Sequence, residues 1–419
     1  MKTPRIIIGG NIYGCGNIGD DAVLAGILQE VKRTIPDSAL CIETHKGQPL
    51  PFVKESCEWV DCYDRTAVFA KIRKCDVYVV GGGTMIGDEL SLRFPLEHLA
   101  VRVAYAKWLG KRVLFAGVGA NRLKTAQGRR LATGLVKLAD LMSCRDEASA
   151  AVCRELCPER SDHIRTHADP AYLLAPYRTE RTERIGETFA GRGPILGINV
   201  LNEAWGKLKD YKQAIAGACN ILHRKHGLFP VFFCNEIRTD AYFDIMANIE
   251  TAAMLSCPHR ILYPEYLTPA EMMDVIGRFD AVLSLRMHGL IFAAVAGTPF
   301  AGISRIDKVD NFMGQFGLKA CGSIENVTAE AIVASVESAL AECQSRKTQM
   351  AAEVALLRKR ASGLGDCFAE WAGRAGDSRP QLARELLPYL EDVPLWRIRV
   401  ERWRQGDIDL NKFWKKWKK

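Results

Sequence analysis

Two alternating patterns constrain this chain more than anything else in it. Short runs rich in β-branched residues, at 5–9, 39–43, 76–80, 112–116, 141–145 and 164–168, are separated by segments of helical periodicity at 20–34, 97–109, 126–138 and 147–156. The runs are apolar on both faces, as strands buried inside a parallel sheet are, and parallel neighbours need the crossover that a helix supplies. The alternation therefore predicts a doubly wound α/β domain with helices on both faces of its sheet. A polar stretch rich in Arg and Gly at 176–194 reads as an interdomain linker. Strand-like runs then return at 195–200, 230–234, 260–263, 281–285 and 299–303, and beyond Thr328 only helical periodicity remains, to about residue 360.

The expected architecture is two Rossmann-like domains, 1–178 and 190–345, and a helical extension with a basic tail at 346–419. Each domain presents its ligand edge at the strand carboxyl ends, so the two are expected to face a cleft in the GT-B-like manner. A length of 419 residues suits this plan. With 48% hydrophobic and 25% charged residues, the chain is neither disordered, collagen-like nor a small disulfide scaffold. No apolar run reaches the length of a membrane span; the longest, 290–304, is fenced by Arg286, His288 and Arg305.

The N-terminus passes directly into the first strand-like run with no signal-peptide pattern. Fourteen cysteines are scattered without a C-x-x-C pair, as suits a reducing compartment. Cys153 and Cys157 lie one helical turn apart but lack further ligands at zinc spacing. The expectation is a cytoplasmic protein without a metal site. Of the net charge of +8, the segment 379–419 carries +5, from eleven basic and six acidic residues. That segment also holds Trp396, Trp403, Trp414 and Trp417 among its cations. The pattern suits peripheral contact of residues 396–419 with an anionic membrane surface, or equally an amphipathic helix docked on the body. No nucleic-acid module accompanies it, so no nucleic-acid partner is expected.

Three segments carry chemistry. Gly14-Cys15-Gly16-Asn17-Ile18-Gly19 has the dinucleotide spacing, with Glu43 as a possible ribose partner. A strand ending at Gly9 would leave a loop longer than that fingerprint uses, and Asp20 and Asp21 occupy the helix start that a pyrophosphate needs. Asp20 as a plain helix cap is the simpler alternative. Gly81-Gly82-Gly83-Thr84 ends another strand, where glycines let amides converge on a ligand or merely form a packing turn; Gly117-Val118-Gly119 follows the next. Ser284-Leu285-Arg286-Met287-His288-Gly289 places a guanidinium and an imidazole at a buried strand end, which is costly unless a ligand or a capping role uses them. With Arg305 and Lys308 after the next strand, these cations suit a small polyanion.

Taken in order, these residues resemble the polysaccharide pyruvyl transferases. The resemblance rests on Gly16-Asn17-Ile18-Gly19-Asp20-Asp21, Gly81-Gly82-Gly83-Thr84, Ser143-Cys144-Arg145-Asp146-Glu147-Ala148-Ser149, Ala168-Asp169-Pro170-Ala171, and the stretch from Arg286 to Lys308. One departure is Gly117-Val118-Gly119-Ala120-Asn121-Arg122, which lacks the family's proline. The resemblance implies transfer of a pyruvyl group from phosphoenolpyruvate to a sugar, usually as a ketal, without a metal or other cofactor. It implies His288 and Arg286 as catalytic residues and Arg145, Arg305, Lys308 and Gly289 as the donor side. Asn17, Gly19, Asp20, Gly81, Gly82, Gly83, Thr84 and Asp169 would form the glycine-loop and acceptor side, the acceptor being a glycan or lipid-linked saccharide. A nucleotide-sugar glycosyltransferase, an NAD-linked oxidoreductase and a non-catalytic scaffold are the alternatives on the same architecture.

Overall fold

The structure, a computed structural model, describes residues 3–88, 96–202, 210–238, 243–305, 307–341 and 343–373. By their contacts these divide into two units, one from segments 3–15, 23–170 and 360–373, the other from 16–22 and 171–359.

The first unit holds strands β1 (Arg5–Tyr13), β2 (Ala39–Thr44), β3 (Cys57–Asp61), β4 (Val77–Ile86), β5 (Arg112–Ala120), β6 (Leu141–Cys144) and β7 (Ile164–Thr166). They form one parallel sheet in the order β3-β2-β1-β4-β5-β6-β7, so the winding reverses between β1 and β4. Its helices are α1 (Ile18–Thr34, whose first turn clusters with the other unit), α2 (Arg65–Lys74), α3 (Leu96–Trp108), α4 (Ala126–Leu138) and α5 (Glu147–Leu156). Asp64, Thr125 and Asp146 start α2, α4 and α5 by accepting a hydrogen bond from the N–H three residues on.

The second unit holds α6 (Glu180–Glu187), β8 (Ile195–Asn199), α7 (Asp210–His226), β9 (Phe229–Phe232), α8 (Phe243–Ala252), β10 (Arg260–Ile261), α9 (Pro269–Ile276), β11 (Ala281–Ser284), α10 (Met287–Ala296), β12 (Phe300–Gly302), α11 (Asp307–Gln315) and α12 (Ala329–Ala341). Its parallel sheet runs β10-β9-β8-β11-β12, with the reversal between β8 and β11. Helix α13 (Cys343–Ser362) follows, and α14 (Leu364–Gly373) adds Leu364, Cys367, Phe368 and Trp371 to the first-unit core cluster that also holds Ile6, Ile8 and Ile27. Two doubly wound α/β units and a helical C-terminal region are the expected GT-B-like parts.

The differences from the expected elements have local causes. β3 and α2 were absent from the alternation because β3 is a charged edge strand with one buried residue and α2 buries only Val68 and Ile72. The expected linker at 176–194 contains α6, started by a capping box between Thr179 and Thr182 and tied to α9 through Arg181–Glu271 and Thr182–Asp274. β1 and β4 both run past their expected ends, to Tyr13 and Ile86. No helix among the described residues is long and apolar enough to cross a membrane. The Trp-rich segment 396–419 lies outside the described residues.

Candidate functional site

In an open parallel sheet the ligand edge is where the winding reverses, and in the second unit that is the carboxyl end of β8 and β11. β8 ends on Asn199 and β11 on Ser284, both fully buried. The Ser284 hydroxyl accepts the Arg286 N–H at 3.0 Å and lies 3.2 Å from Asn199 Oδ1, turning the chain sharply into α10. A methyl at Gly289 would stand 2.6 Å from that hydroxyl, so the turn needs glycine there. Arg286 caps α10 but gives its first turn no side-chain acceptor. The first-turn amides of a helix so capped suit an anion.

Arg286 itself is not the open cation the sequence suggested. Its Nε and Nη2 reach Asp244 Oδ1 at 2.6 and 2.5 Å, and Nη2 reaches Glu236 Oε2 at 2.6 Å. The second Asp244 oxygen accepts the Asn199 amide at 2.9 Å and the N–H groups of Asn235 and Glu236 at 2.9 and 3.0 Å. Glu236 also pairs with Arg238. Two guanidinium groups and two carboxylates, the latter 2% and 0% exposed, thus form a neutral, locked cluster. Sequence reasoning missed Glu236, Asp244, Asn235 and Asn199. Only the polar Asn235-Glu236 pair directly after an apolar strand could have signalled them.

The first-chain motif belongs to this same site, since residues 16–22 cluster with the second unit. Asn17 bridges Glu236 in antiparallel fashion; Ile18 N–H donates to Asn235 O at 3.0 Å and Ile237 N–H to Gly16 O at 2.9 Å. Asn17 caps α1 by accepting the Gly19 N–H at 3.1 Å, while its amide donates to Asp20 at 2.9 Å. Asp21, buried, accepts the Tyr266 hydroxyl at 2.7 Å. Gly19 lies against the imidazole: a methyl there would stand 2.4 Å from His288 Nδ1 and 2.8 Å from His288 Cβ. Two segments about 270 residues apart in sequence therefore meet, with only a hydrogen atom's clearance between them.

The dinucleotide reading loses its ribose partner. β1 continues through Gly9 to Tyr13, so the loop before α1 is shorter than the sequence suggested. Glu43, however, is fully buried, paired with Arg102 at 2.7 Å, and burial pushes its carboxyl up. It has no face to offer a ribose.

Of the remaining expected residues, Arg145, Gly81, Gly82, Gly83, Thr84 and Asp169 lie in the first unit, and Arg305 and Lys308 in the second. Arg145, 5% exposed, follows β6 and lies over Gly119, where a methyl would stand 2.6 Å from its guanidinium carbon. Its contacts are long: 3.4 Å to Thr84 Oγ1, 3.5 Å to Asp146 and 3.8 Å to Asp169. Ser143 beneath it accepts the Gly117 N–H at 3.3 Å and lies 2.8 Å from His167 Nδ1. Gly81, Gly82 and Gly83 sit inside β4 rather than in a loop after it. A methyl at Gly81 would overlap the Tyr13 hydroxyl and one at Gly82 would press on Val23, so their missing side chains seat β1 and α1. Arg305 follows β12 and Lys308 lies in the first turn of α11, both half-buried. Among the described residues no three His, Cys, Asp or Glu side chains are grouped to hold a metal ion.

Two parallel-sheet α/β units of this kind are the parts of a GT-B-like fold. S. aureus MnaA in its co-structure with UDP matches with a TM-score of 0.59 at 11% identity, over 91% of this chain and 100% of that one. The putative UDP-N-acetylglucosamine 2-epimerase from Listeria monocytogenes gives 0.58 at 12%, over 91% and 100%. UDP-GlcNAc 2-epimerase from Neisseria meningitidis, bound to UDP-GlcNAc, gives 0.56 at 13%, over 89% and 100%. At these identities the likeness is one of fold. No curated protein matches the chain. The model of the polysaccharide pyruvyl transferase family matches residues 17–307, and the chain belongs to that family of transferases.

Proposed function

We propose that this protein transfers the pyruvyl group of phosphoenolpyruvate to a sugar of a polysaccharide or glycolipid precursor, closing a ketal over two hydroxyls. The observation that carries this is the seating of Gly19 on His288, which joins two of the family-like segments at one unit's ligand edge. The first sugar hydroxyl adds to C2 of the enol as C3 takes a proton. The C2–O bond to phosphate then breaks, phosphate leaving with the electron pair, and the second hydroxyl closes the ketal. One hydroxyl proton ends on C3 and the other on phosphate. His288 is the group that passes these protons.

The donor's anionic groups are held by the first-turn amides of α10 and by Arg286, whose plane Glu236 and Asp244 fix beforehand, so little side-chain freedom is lost on binding. Those carboxylates also cancel its charge, leaving the helix amides the main attraction. Arg145, with its long contacts, is a separate cation able to take a further anionic group. Residues 396–419 are proposed to bring the protein to the inner membrane face, where a lipid-linked acceptor would lie. No metal or cofactor is needed for this chemistry.

A second reading, a nucleotide-sugar transferase, draws on solved neighbours whose structures hold UDP or UDP-glucose. Thermal protection separates the two. Phosphoenolpyruvate at about a hundredfold excess over its Kd should stabilise by about 3 kcal/mol while UDP-glucose does nothing. His288→Gln should keep that protection yet lose phosphate release by roughly 100- to 10,000-fold. Protection by UDP-glucose alone sinks the pyruvyl reading.

A further inference from the structure

We infer that Asn235 contacts the acceptor and reads a pair of its hydroxyls, an inference that rests on the function proposed above. Asn235 is 1% exposed, and neither its amide nitrogen nor its amide oxygen has a hydrogen-bond partner. Its backbone, by contrast, is tied on both sides: the N–H donates to Asp244 Oδ2 at 2.9 Å and the C=O accepts from Ile18 N–H at 3.0 Å. The backbone is thus held in place while the polar atoms of the side chain are left unused.

Two neighbouring buried asparagines show that this is not a habit of the region. Asn199 donates to Asp244 and to Phe233 O at 2.9 and 3.1 Å. Asn248 donates to Phe233 O at 2.8 Å and accepts the Val200 N–H at 3.0 Å. Burying an unpaired carboxamide is unfavourable, and a leucine of the same shape would avoid that penalty. The position is explained if a ligand completes it.

The chemistry of the group selects the ligand. A carboxamide presents a donor beside an acceptor. A phosphate or carboxylate satisfies only the NH2 and sets an anion against the oxygen, whereas hydroxyls, which both donate and accept, satisfy the two together. Asn235 also stands beside Glu236, which holds Arg286, and its carbonyl holds the residue before Gly19, which covers His288. The hydroxyl-bearing molecule at that edge is the acceptor sugar.

The test compares wild type with Asn235→Leu and Asn235→Ala, using a panel of p-nitrophenyl hexosides as acceptor probes and reading melting temperature without ligand. For Asn235→Leu the acceptor KM should rise about tenfold or more while the phosphoenolpyruvate KM stays within about twofold. The ligand-free melting temperature should hold or rise, with Asn235→Ala below Asn235→Leu because it leaves a hole. An unchanged acceptor KM overturns the inference. So does a lowered melting temperature in Asn235→Leu, which would mean that the amide is satisfied inside the protein, by a buried water for example. If phosphoenolpyruvate gives wild type no thermal protection and no hexoside yields a phosphoenolpyruvate-dependent product, the pyruvyl reading fails. Without product, Asn235 is judged by hexoside-induced thermal shift, whose loss in Asn235→Leu supports the inference and whose persistence overturns it.

Discussion

Each unit ends one strand on the same three-residue device: Ser143-Cys144-Arg145 after β6 and Ser284-Leu285-Arg286 after β11. In both, the serine hydroxyl is fully buried and an arginine stands beyond it; Ser284 accepts the Arg286 N–H of its own turn, whereas Ser143 accepts the Gly117 N–H of the neighbouring strand. The surroundings then part. Arg286 is gripped by two carboxylates at 2.5–2.6 Å, while Arg145 makes contacts of 3.4–3.8 Å. Local sequence places such an arginine, and residues from distant segments decide how tightly its charge is paired inside the protein.

The sharpest test of that contrast is stability. Arg286→Ala removes the cation that Glu236 and Asp244 share in a buried cluster and should cost about 3–5 kcal/mol in urea unfolding, against roughly 1–2 kcal/mol for Arg145→Ala. Equal losses would erase the distinction. The glycines beside the two devices give the next largest effect. At Gly19 the obstacle is an imidazole close to its own Cβ and unable to swing aside, so Gly19→Ala should lower kcat by about 100-fold. At Gly119 it is the far end of a flexible side chain, and Gly119→Ala should cost about tenfold.

The smallest difference is in pH response. Ser143 pairs with His167, a titratable group; Ser284 pairs with Asn199, which is not. Burial, helped by Arg165 and Arg360 and opposed by Asp366, pushes His167 below its ordinary value of 6.5. The unfolded histidine takes a proton near pH 6.5 and the folded one only at lower pH, so this stabilisation is complete above 6.5 and drains away as acid passes through the folded value. His167→Asn should flatten the melting temperature's fall over that range. A fall as steep as in wild type would mean that the first device has no acid-sensitive partner.

The fold was legible because its strands are buried on both faces and its helices are well capped: α4 and α5 begin and end at the residues their periodicity gives. Edge elements with little to bury, β3 and α2, left no such trace. At the site, the positions of Gly19, Arg286 and His288 could be read from their segments, but their condition could not. Glu236 and Asp244, which neutralise Arg286, come from a loop and a helix with no pattern of their own. The three glycines of β4 looked like a ligand loop because sequence cannot tell a backbone bared for a substrate from one bared for a tyrosine hydroxyl.

Helix α14 gives the chain an unusual order of completion. Every strand of the first sheet has been synthesised by residue 166, yet the core cluster around Ile6, Ile8 and Ile27 stays incomplete until Phe368 and Trp371 have been added some 200 residues later. The half of the protein that is translated first is therefore finished last. A nascent chain carries this greasy gap through the whole synthesis of the second unit, a window in which a holding chaperone has something to grip.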